Sequence, residues 1–117
     1  MKRGEVVIVD FPFSDDSGSK RRPALVVQLD ARNQVLRDTI LASISTTAKG
    51  DVTHVLVDPR SEPRSGLTVP CGVRCEKLYV VQQRLVLGSI GYLSKTAMQK
   101  VDGCLKRALG LEHASSG

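Results

Sequence analysis

The stretch Arg22-Pro23-Ala24-Leu25-Val26-Val27-Gln28 predicts a β-strand, because an unbroken, valine-rich apolar run occupies its centre. Proline donates no hydrogen bond to a sheet, so Pro23 is expected at the start of this strand or at a sheet edge. Five further stretches are also strand-like: residues 6–9, 39–44, 53–57, 73–81 and 89–93. Together they predict a mostly β fold of about five to seven short strands in a strongly bent sheet or small barrel.

The last part of the chain predicts an α-helix instead. From Ser94 onward the apolar residues follow helical spacing, and they fall at Ala97, Met98, Val101, Cys104, Leu105, Ala108 and Leu109. Ser94 is a suitable N-cap, and Gly110 is a suitable residue just after the helix. We expect this helix to close one side of the sheet.

Length, composition and charge narrow the class of protein. The 117 residues match one domain, which we place at residues 1–111, followed by a polar tail at 112–117. The net charge of +5 favours anionic partners such as nucleic acid, an acidic protein or a membrane surface. With two Phe, two Tyr and no Trp, recognition of bases by aromatic stacking is disfavoured. No stretch resembles a signal peptide or a membrane span, so a cytoplasmic location is expected.

The cysteines are interpreted as buried thiols. Cys71, Cys75 and Cys104 are an odd number, which argues against a disulfide framework in a cytosolic protein. Cys71 and Cys75 have no second pair of ligands nearby in the sequence, so thiols packed inside strands are favoured over a zinc site.

The order and spacing of several segments resemble the MazF/PemK toxin family of bacterial toxin–antitoxin systems. The resemblance covers roughly residues 3–111, and the segments that carry it are Gly4 to Phe11, Arg22 to Val27, Ala42 to Thr46, and Val73 to Leu78 with Arg84-Leu85. It implies a homodimeric, SH3-like barrel with a C-terminal helix. It also implies a sequence-selective endoribonuclease that cleaves single-stranded RNA, such as mRNA, without a metal or other cofactor. In this family the 2′-hydroxyl attacks the adjacent phosphate, and the acidic, disordered segment of a cognate antitoxin blocks the RNA groove.

The resemblance also implies the catalytic residues. The family's catalytic Arg falls on Arg22, and its catalytic Thr or Ser falls on Ser45, with Thr46 next to it. A guanidinium can bind two phosphoryl oxygens at once, and a hydroxyl can donate to the same phosphate. The alternatives are that Arg22 is a solvated charge at the start of a strand, and that Ser45 and Thr46 only form a turn.

Further residues are predicted to contact RNA. Lys20 and Arg21 stand beside Arg22 and are candidate phosphate contacts, at the end of the Ser14–Lys20 segment, which has the composition of a flexible loop. The other candidates occupy positions that line the groove in the family, where this sequence departs from its usual pattern: Cys71, Glu76 and Lys77. For Glu76, an ion pair with Arg74 or Arg84 is the alternative.

Two other functions remain open at this stage. Toxins that poison DNA gyrase share the expected architecture but act through an apolar, aromatic C-terminal end, whereas this chain ends in Glu-His-Ala-Ser-Ser-Gly. An RNA-binding module that does not cleave is the second possibility, and it would have to rely on contacts to the RNA backbone.

Overall fold

The computed structural model describes residues 1–11 and 20–112. Its strands are β1 (Glu5–Phe11), β2 (Lys20–Val26), β3 (Asp38–Ser45), β4 (His54–Val57), β5 (Cys71–Gln82) and β6 (Gly88–Tyr92). A one-turn helix, α1 (Asp30–Asn33), links β2 to β3, and a 3-10 turn (Gln83–Leu85) precedes β6. The C-terminal helix is α2 (Lys95–Ala108).

All six strands belong to one antiparallel sheet with the order β4-β5-β3-β2-β1-β6. The sheet curls into a half-barrel, so the prediction of a small, mostly β, barrel-like fold with a C-terminal helix is confirmed. Among the elements of the described residues, α1 and the 3-10 turn were not predicted. Each has four residues or fewer, which is too short for a helical pattern of apolar residues to be recognised in the sequence.

Strand β2 lies inside the sheet and is buried on both faces. Leu25 packs in the apolar cluster that includes Val101 of α2, whereas Ala24 and Val26 pack in a second cluster on the other face. Side chains alternate between the faces of a strand, so burial of both faces explains why the apolar run is continuous rather than alternating.

Pro23 lies at a local edge of the sheet. The strand begins at Lys20, earlier than predicted, and Pro23 is paired with Ile8 of β1. The pairing of β2 with β3 starts only at Ala24, so Pro23 faces no β3 partner on its other side. The expectation of an edge position for this proline is therefore confirmed, although the proline is not the first residue of the strand.

Helix α2 has the predicted caps and packs on the sheet. The Ser94 Oγ accepts a hydrogen bond from the Ala97 N–H at 3.1 Å, and Gly110 follows the helix with a φ of +71°. Val101 and Cys104 are fully buried against the sheet. Leu109, the last residue of the predicted apolar stripe, is 54% exposed because the helix ends at Ala108 and the chain turns away.

Some predictions concern residues that the structure does not describe. The loop predicted at residues 14–20 lies outside the described residues except for Lys20, as do residues 113–117 of the predicted tail. Among the described residues, no helix is long and apolar enough to cross a membrane.

The connection between β4 and β5 is held closely against β6 and the start of α2. The Glu62 carboxylate accepts hydrogen bonds from the Ser94 N–H and hydroxyl, both at 2.8 Å. The Tyr92 N–H donates to the Arg64 carbonyl at 2.8 Å. A Cβ built on Gly91 would lie 2.2 Å from the Arg64 carbonyl oxygen, so only glycine allows the two backbones to approach this far.

Substitution of Gly91 by Ala should therefore destabilise the protein, with Gly88→Ala on the same strand as the matched control. A Cβ on Gly88 meets no atom within 4 Å. We expect Gly91→Ala to lower the free energy of unfolding by about 1–3 kcal/mol through overpacking, and Gly88→Ala to change it by less than about 0.5 kcal/mol. Urea unfolding measures both, and equal effects of the two substitutions would contradict the close approach.

Candidate functional site

A cavity of about 360 Å³ opens where the start of β2 meets the end of β3. One side is formed by the connection before β5, and Ile90 of β6 completes the rim. The lining residues are Ile8, Lys20, Arg21, Arg22, Pro23, Ile44, Ser45, Thr46, Gly66, Leu67, Thr68, Val69, Cys71 and Ile90. The volume lies in the range of about 300–1,000 Å³ that is usual for ligand pockets.

The cavity brings together the residues that the sequence predicted as catalytic. Strands β2 and β3 are antiparallel, so the start of one lies beside the end of the other. Ala24 pairs with Ser43, and Arg22 and Ser45 each lie two residues beyond this last pair. Thr46 follows on the same side. The residue roles remain predictions, but their proximity is a property of the strand register.

Three cationic side chains line the cavity: Lys20, Arg21 and Arg22. Arg21 contacts Asp10 at 3.7 Å, but both side chains are well exposed, so this pair is weak. Within residues 1–11 and 20–112, no hydrogen bond or ion pair engages the side chain of Lys20 or Arg22. Three adjacent cations therefore surround one opening and favour a negatively charged ligand.

The Ser45 hydroxyl is held by the turn that follows β3. Its Oγ accepts the Thr47 N–H at 3.1 Å and lies 2.8 Å from the Thr47 Oγ1. When the Thr47 hydroxyl donates to the Ser45 Oγ, the Ser45 proton is left to donate to a group in the cavity. The two interpretations of Ser45, as a turn former and as a site residue, are thus compatible. Thr47 was missed by the sequence reasoning.

Cys71 contributes a buried thiol to the cavity wall, at the first residue of β5. Burial raises its pKa, so the thiol stays neutral and acts as a small apolar surface with a weak donor. Cys75 lies further along the same strand and is also buried, so the prediction of buried thiols inside a strand is confirmed. Among the described residues, no three His, Cys, Asp or Glu side chains are grouped to hold a metal ion.

Glu76 and Lys77 do not line the cavity. They belong to a bulge of β5. The adjacent β3 residues Ala42 and Ser43 pair with Leu78 and Arg74, so residues 75–77 of β5 have no partner on β3. The Glu76 carboxylate accepts hydrogen bonds from Thr53 Oγ1 at 2.9 Å and from Arg74 Nε at 3.0 Å.

The third partner of Glu76 is His54, whose Nε2 lies 3.2 Å from the carboxylate. Partial burial alone would raise the pKa of Glu76, but its own backbone N–H and these three side-chain partners outweigh burial and lower the pKa to about 2. The ion pair with Arg74 weighed in the sequence analysis is confirmed, and Arg84 instead donates to Gln82. RNA contacts of Glu76 and Lys77 stay a prediction.

The wall formed by residues 66–69 was missed by the sequence reasoning. Gly66 has a φ of +75°, and a Cβ built on it would lie 2.1 Å from the Ile90 carbonyl oxygen. This glycine lets the chain turn tightly against β6 and present Leu67 and Thr68 to the cavity. A single glycine in a Pro- and Ser-rich connection was the only available signal, and by itself it indicates a turn.

Comparison with known proteins places the chain among toxins. Residues 2–109 match a family model described as PemK-like, MazF-like toxin of type II toxin–antitoxin system. No match was found among curated proteins. One solved structure is a mycobacterial endoribonuclease in complex with its cognate antitoxin. It is 25% identical to this chain, the alignment covers 97% of this chain and 99% of that endoribonuclease chain, and the TM-score is 0.80.

Other solved structures share the fold. The Mycobacterium tuberculosis toxin MazF-mt6 is 24% identical, with coverage of 93% of this chain and 99% of its own and a TM-score of 0.77. A MazE-MazF structure from Deinococcus radiodurans is 22% identical, with coverage of 94% and 96% and a TM-score of 0.74.

Replacing Glu76 by Gln should remove a pH-dependent contribution to stability. Because the pKa of Glu76 falls from its ordinary 4.5 to about 2 on folding, its charge stabilises the protein above pH 4.5, and the effect is lost as pH falls towards 2. We expect Glu76→Gln to lower the free energy of unfolding at pH 7 by about 1–2 kcal/mol. Urea unfolding between pH 7 and 2 should show the two proteins converging in acid, and a constant difference would contradict this role.

Proposed function

Because the chain belongs to the PemK-like, MazF-like toxin family of type II toxin–antitoxin systems, we propose that it is an endoribonuclease toxin. Its substrate is single-stranded RNA, including mRNA, in the bacterial cytoplasm, and the reaction needs no metal. The observation that carries this proposal is the cavity in which Arg22 and Ser45, contributed by two strands, meet beside Lys20 and Arg21. A cation cluster with a hydroxyl donor suits a phosphodiester group.

The cleavage proceeds by attack of a ribose 2′-hydroxyl on the adjacent phosphorus. The bond from O2′ to phosphorus forms while the bond from phosphorus to O5′ breaks. The 2′-hydroxyl loses one proton and O5′ takes up one, so the products are a 2′,3′-cyclic phosphate and a 5′-hydroxyl. Negative charge builds up on the non-bridging oxygens, where the planar Arg22 guanidinium can bind two of them. The Ser45 hydroxyl, oriented by Thr47, donates to the same phosphate, with Thr46 beside it.

The base of this reaction is not His54. Its Nε2 faces Glu76, and its Nδ1 faces the backbone N–H groups of Lys49 and Asp51. His54 is also absent from the lining of the cavity. The described part of the site acts by electrostatic stabilisation and by positioning of the scissile phosphate.

RNA binding in this proposal relies on the backbone of the RNA. Lys20 and Arg21 contact phosphates next to the scissile one, while Cys71, Leu67 and Val69 supply an apolar wall for a base or ribose. No aromatic side chain lines the cavity among the described residues, so stacking contributes little there.

The same cationic cavity is the proposed binding site of a protein partner. Solved relatives include an endoribonuclease with its cognate antitoxin and MazE-MazF assemblies. We expect a cognate antitoxin with an acidic, disordered segment to cover Arg22 and its neighbours, and the toxin to act as a homodimer. An acidic peptide competes with phosphate for the same cations.

Substitution of Arg22 by Ala should abolish cleavage. Loss of a donor that binds developing charge costs about 10²–10³-fold in rate. The matched control is Arg32→Ala. Arg32 is an exposed arginine of α1. This helix lies next to the first residues of β3, at the opposite end of that strand from Ser45. Both proteins are incubated with a long single-stranded RNA in excess EDTA, and the product ends are mapped.

Discrete cuts with 2′,3′-cyclic phosphate ends, present for the wild type and Arg32→Ala but lost in Arg22→Ala, are the expected result. Intact RNA with a folded wild-type protein would overturn the proposal. In that case inhibition of gyrase supercoiling and RNA binding without cleavage separate the two remaining functions.

Phosphate contacts of Lys20 and Arg21 predict a defined salt dependence of RNA binding. For single strands, each neutralised phosphate contributes about 0.7 to the slope of log affinity against log salt concentration. In an Arg22→Ala background that does not cleave, Lys20→Ala and Arg21→Ala should each reduce this slope by about 0.7. Fluorescence anisotropy with a labelled RNA measures it, and slopes equal to that of the background would exclude these contacts.

A further inference from the structure

The ring of His54 connects the loop after β3 to the bulge of β5. We call residues 46–53, between β3 and β4, the β3–β4 loop. The His54 side chain is only 9% exposed. Its Nδ1 accepts hydrogen bonds from the backbone N–H groups of Lys49 at 3.3 Å and Asp51 at 3.4 Å, while its Nε2 lies 3.2 Å from the Glu76 carboxylate.

This arrangement selects one protonation state of the imidazole. A nitrogen that faces two N–H donors must carry a lone pair, so Nδ1 is unprotonated. The other nitrogen faces a carboxylate, which accepts hydrogen bonds only, so Nε2 carries the proton. His54 is therefore the neutral Nε2–H tautomer. A second proton can only bind to Nδ1. Nδ1 would then be a donor itself, so it would lose the hydrogen bonds from the Lys49 and Asp51 N–H groups and repel them.

The other end of the same loop lies at the cavity. Ser45 precedes the loop, and its Oγ is held by Thr47. Ala48 packs tightly on β5, since a Cβ built on Gly72 would lie 2.6 Å from the Ala48 Cβ. Gly72 follows Cys71, which lines the cavity. Only Ala48 separates Lys49 from Thr47, which orients the Ser45 hydroxyl.

We propose that His54 is a positioning residue that holds the β3–β4 loop, and with it the Ser45 hydroxyl, only while its imidazole is neutral. Protonation of His54 releases residues 49–51 of this loop and lowers the rate of RNA cleavage. This regulation rests on the proposed ribonuclease function of the cavity. Histidine is the side chain whose charge usually changes between pH 5 and 8, so this is the range in which the proposal is tested.

Charged groups of both signs surround His54. Glu76 faces Nε2, and Arg74 on the same strand also pairs with that carboxylate. From α2, Lys100 and Arg107 line the surface cavity next to His54. Lys49 and Asp51 on the loop carry opposite charges. The direction of the effect does not depend on this balance, because the added proton reaches Nδ1 in every case.

Two substitutions separate the two nitrogens of His54. In His54→Asn, the Oδ1 can replace Nδ1 as the acceptor for the loop, but the side chain does not titrate and does not reach Glu76. In His54→Gln, the amide can replace Nε2 and donate to Glu76, but it leaves the loop without an acceptor. Both variants lose the imidazole, so a difference between them reports which nitrogen matters.

Cleavage rates are measured between pH 5 and 8 for the three proteins and divided by the His54→Asn rate at each pH, which cancels the pH dependence of the chemistry itself. We expect the wild-type ratio to fall in acid with a one-proton transition. The His54→Gln ratio should be low and constant, about tenfold or more below the wild type at pH 8. A constant wild-type ratio, or equal rates of the two variants, would overturn the proposal.

A second measurement does not depend on cleavage. In an Arg22→Ala background, ¹⁵N NMR follows the Lys49 and Asp51 amides and the His54 ring from pH 8 to 5. Both amides should shift and lose protection from hydrogen exchange with the midpoint of the ring, and His54→Asn should remove the transition. Amides that stay unchanged while the ring titrates would overturn the positioning role. If the wild type cleaves no RNA, the proposed function fails, and the amide titration still decides whether His54 holds the loop.

Discussion

The position of the β3–β4 loop depends on the hydrogen bonds to the Glu76 carboxylate. This carboxylate receives hydrogen bonds from Thr53, His54 and Arg74, and so joins β4, β5 and the β3–β4 loop at one point. A partly buried charge is costly unless several donors satisfy it. The bulge at residues 75–77 supplies the geometry, because it turns this segment away from β3 and towards the start of β4.

A second constraint is the close approach of backbones at glycines. Gly91 lets the connection before β5 pass directly along β6, and Gly72 lets the β3–β4 loop pack on β5. Both segments form parts of the cavity or lead into it. These glycines carry no chemistry themselves. They determine how near the walls stand to Arg22 and Ser45, because a Cβ at either position would overlap a neighbouring backbone or side chain.

The residues proposed to act on the phosphate are brought together by a single strand pairing. Arg22 and its cationic neighbours come from the start of β2, and the Ser45 hydroxyl comes from the end of β3, so one antiparallel pairing brings them together. Orientation is then supplied by Thr47 and by the loop that His54 holds. The residues proposed to act on the phosphate are thus separate from those that form the apolar wall of the cavity. Cys71 belongs to this wall.

The amino-acid sequence by itself determined the strands and the capped C-terminal helix, because apolar periodicity and capping residues are local properties. Arg22 and Ser45 were predicted together only from the resemblance to a family, and the pairing of β2 with β3 brings them close. Even the edge position of Pro23 followed from its missing N–H. The tertiary structure alone decided that Glu76 faces Thr53, His54 and Arg74 rather than the cavity, and that residues 66–69 form a wall. It also decided the tautomer of His54. These contacts join residues far apart in the chain, and their geometry depends on a bulge and on backbone approaches that no local pattern encodes.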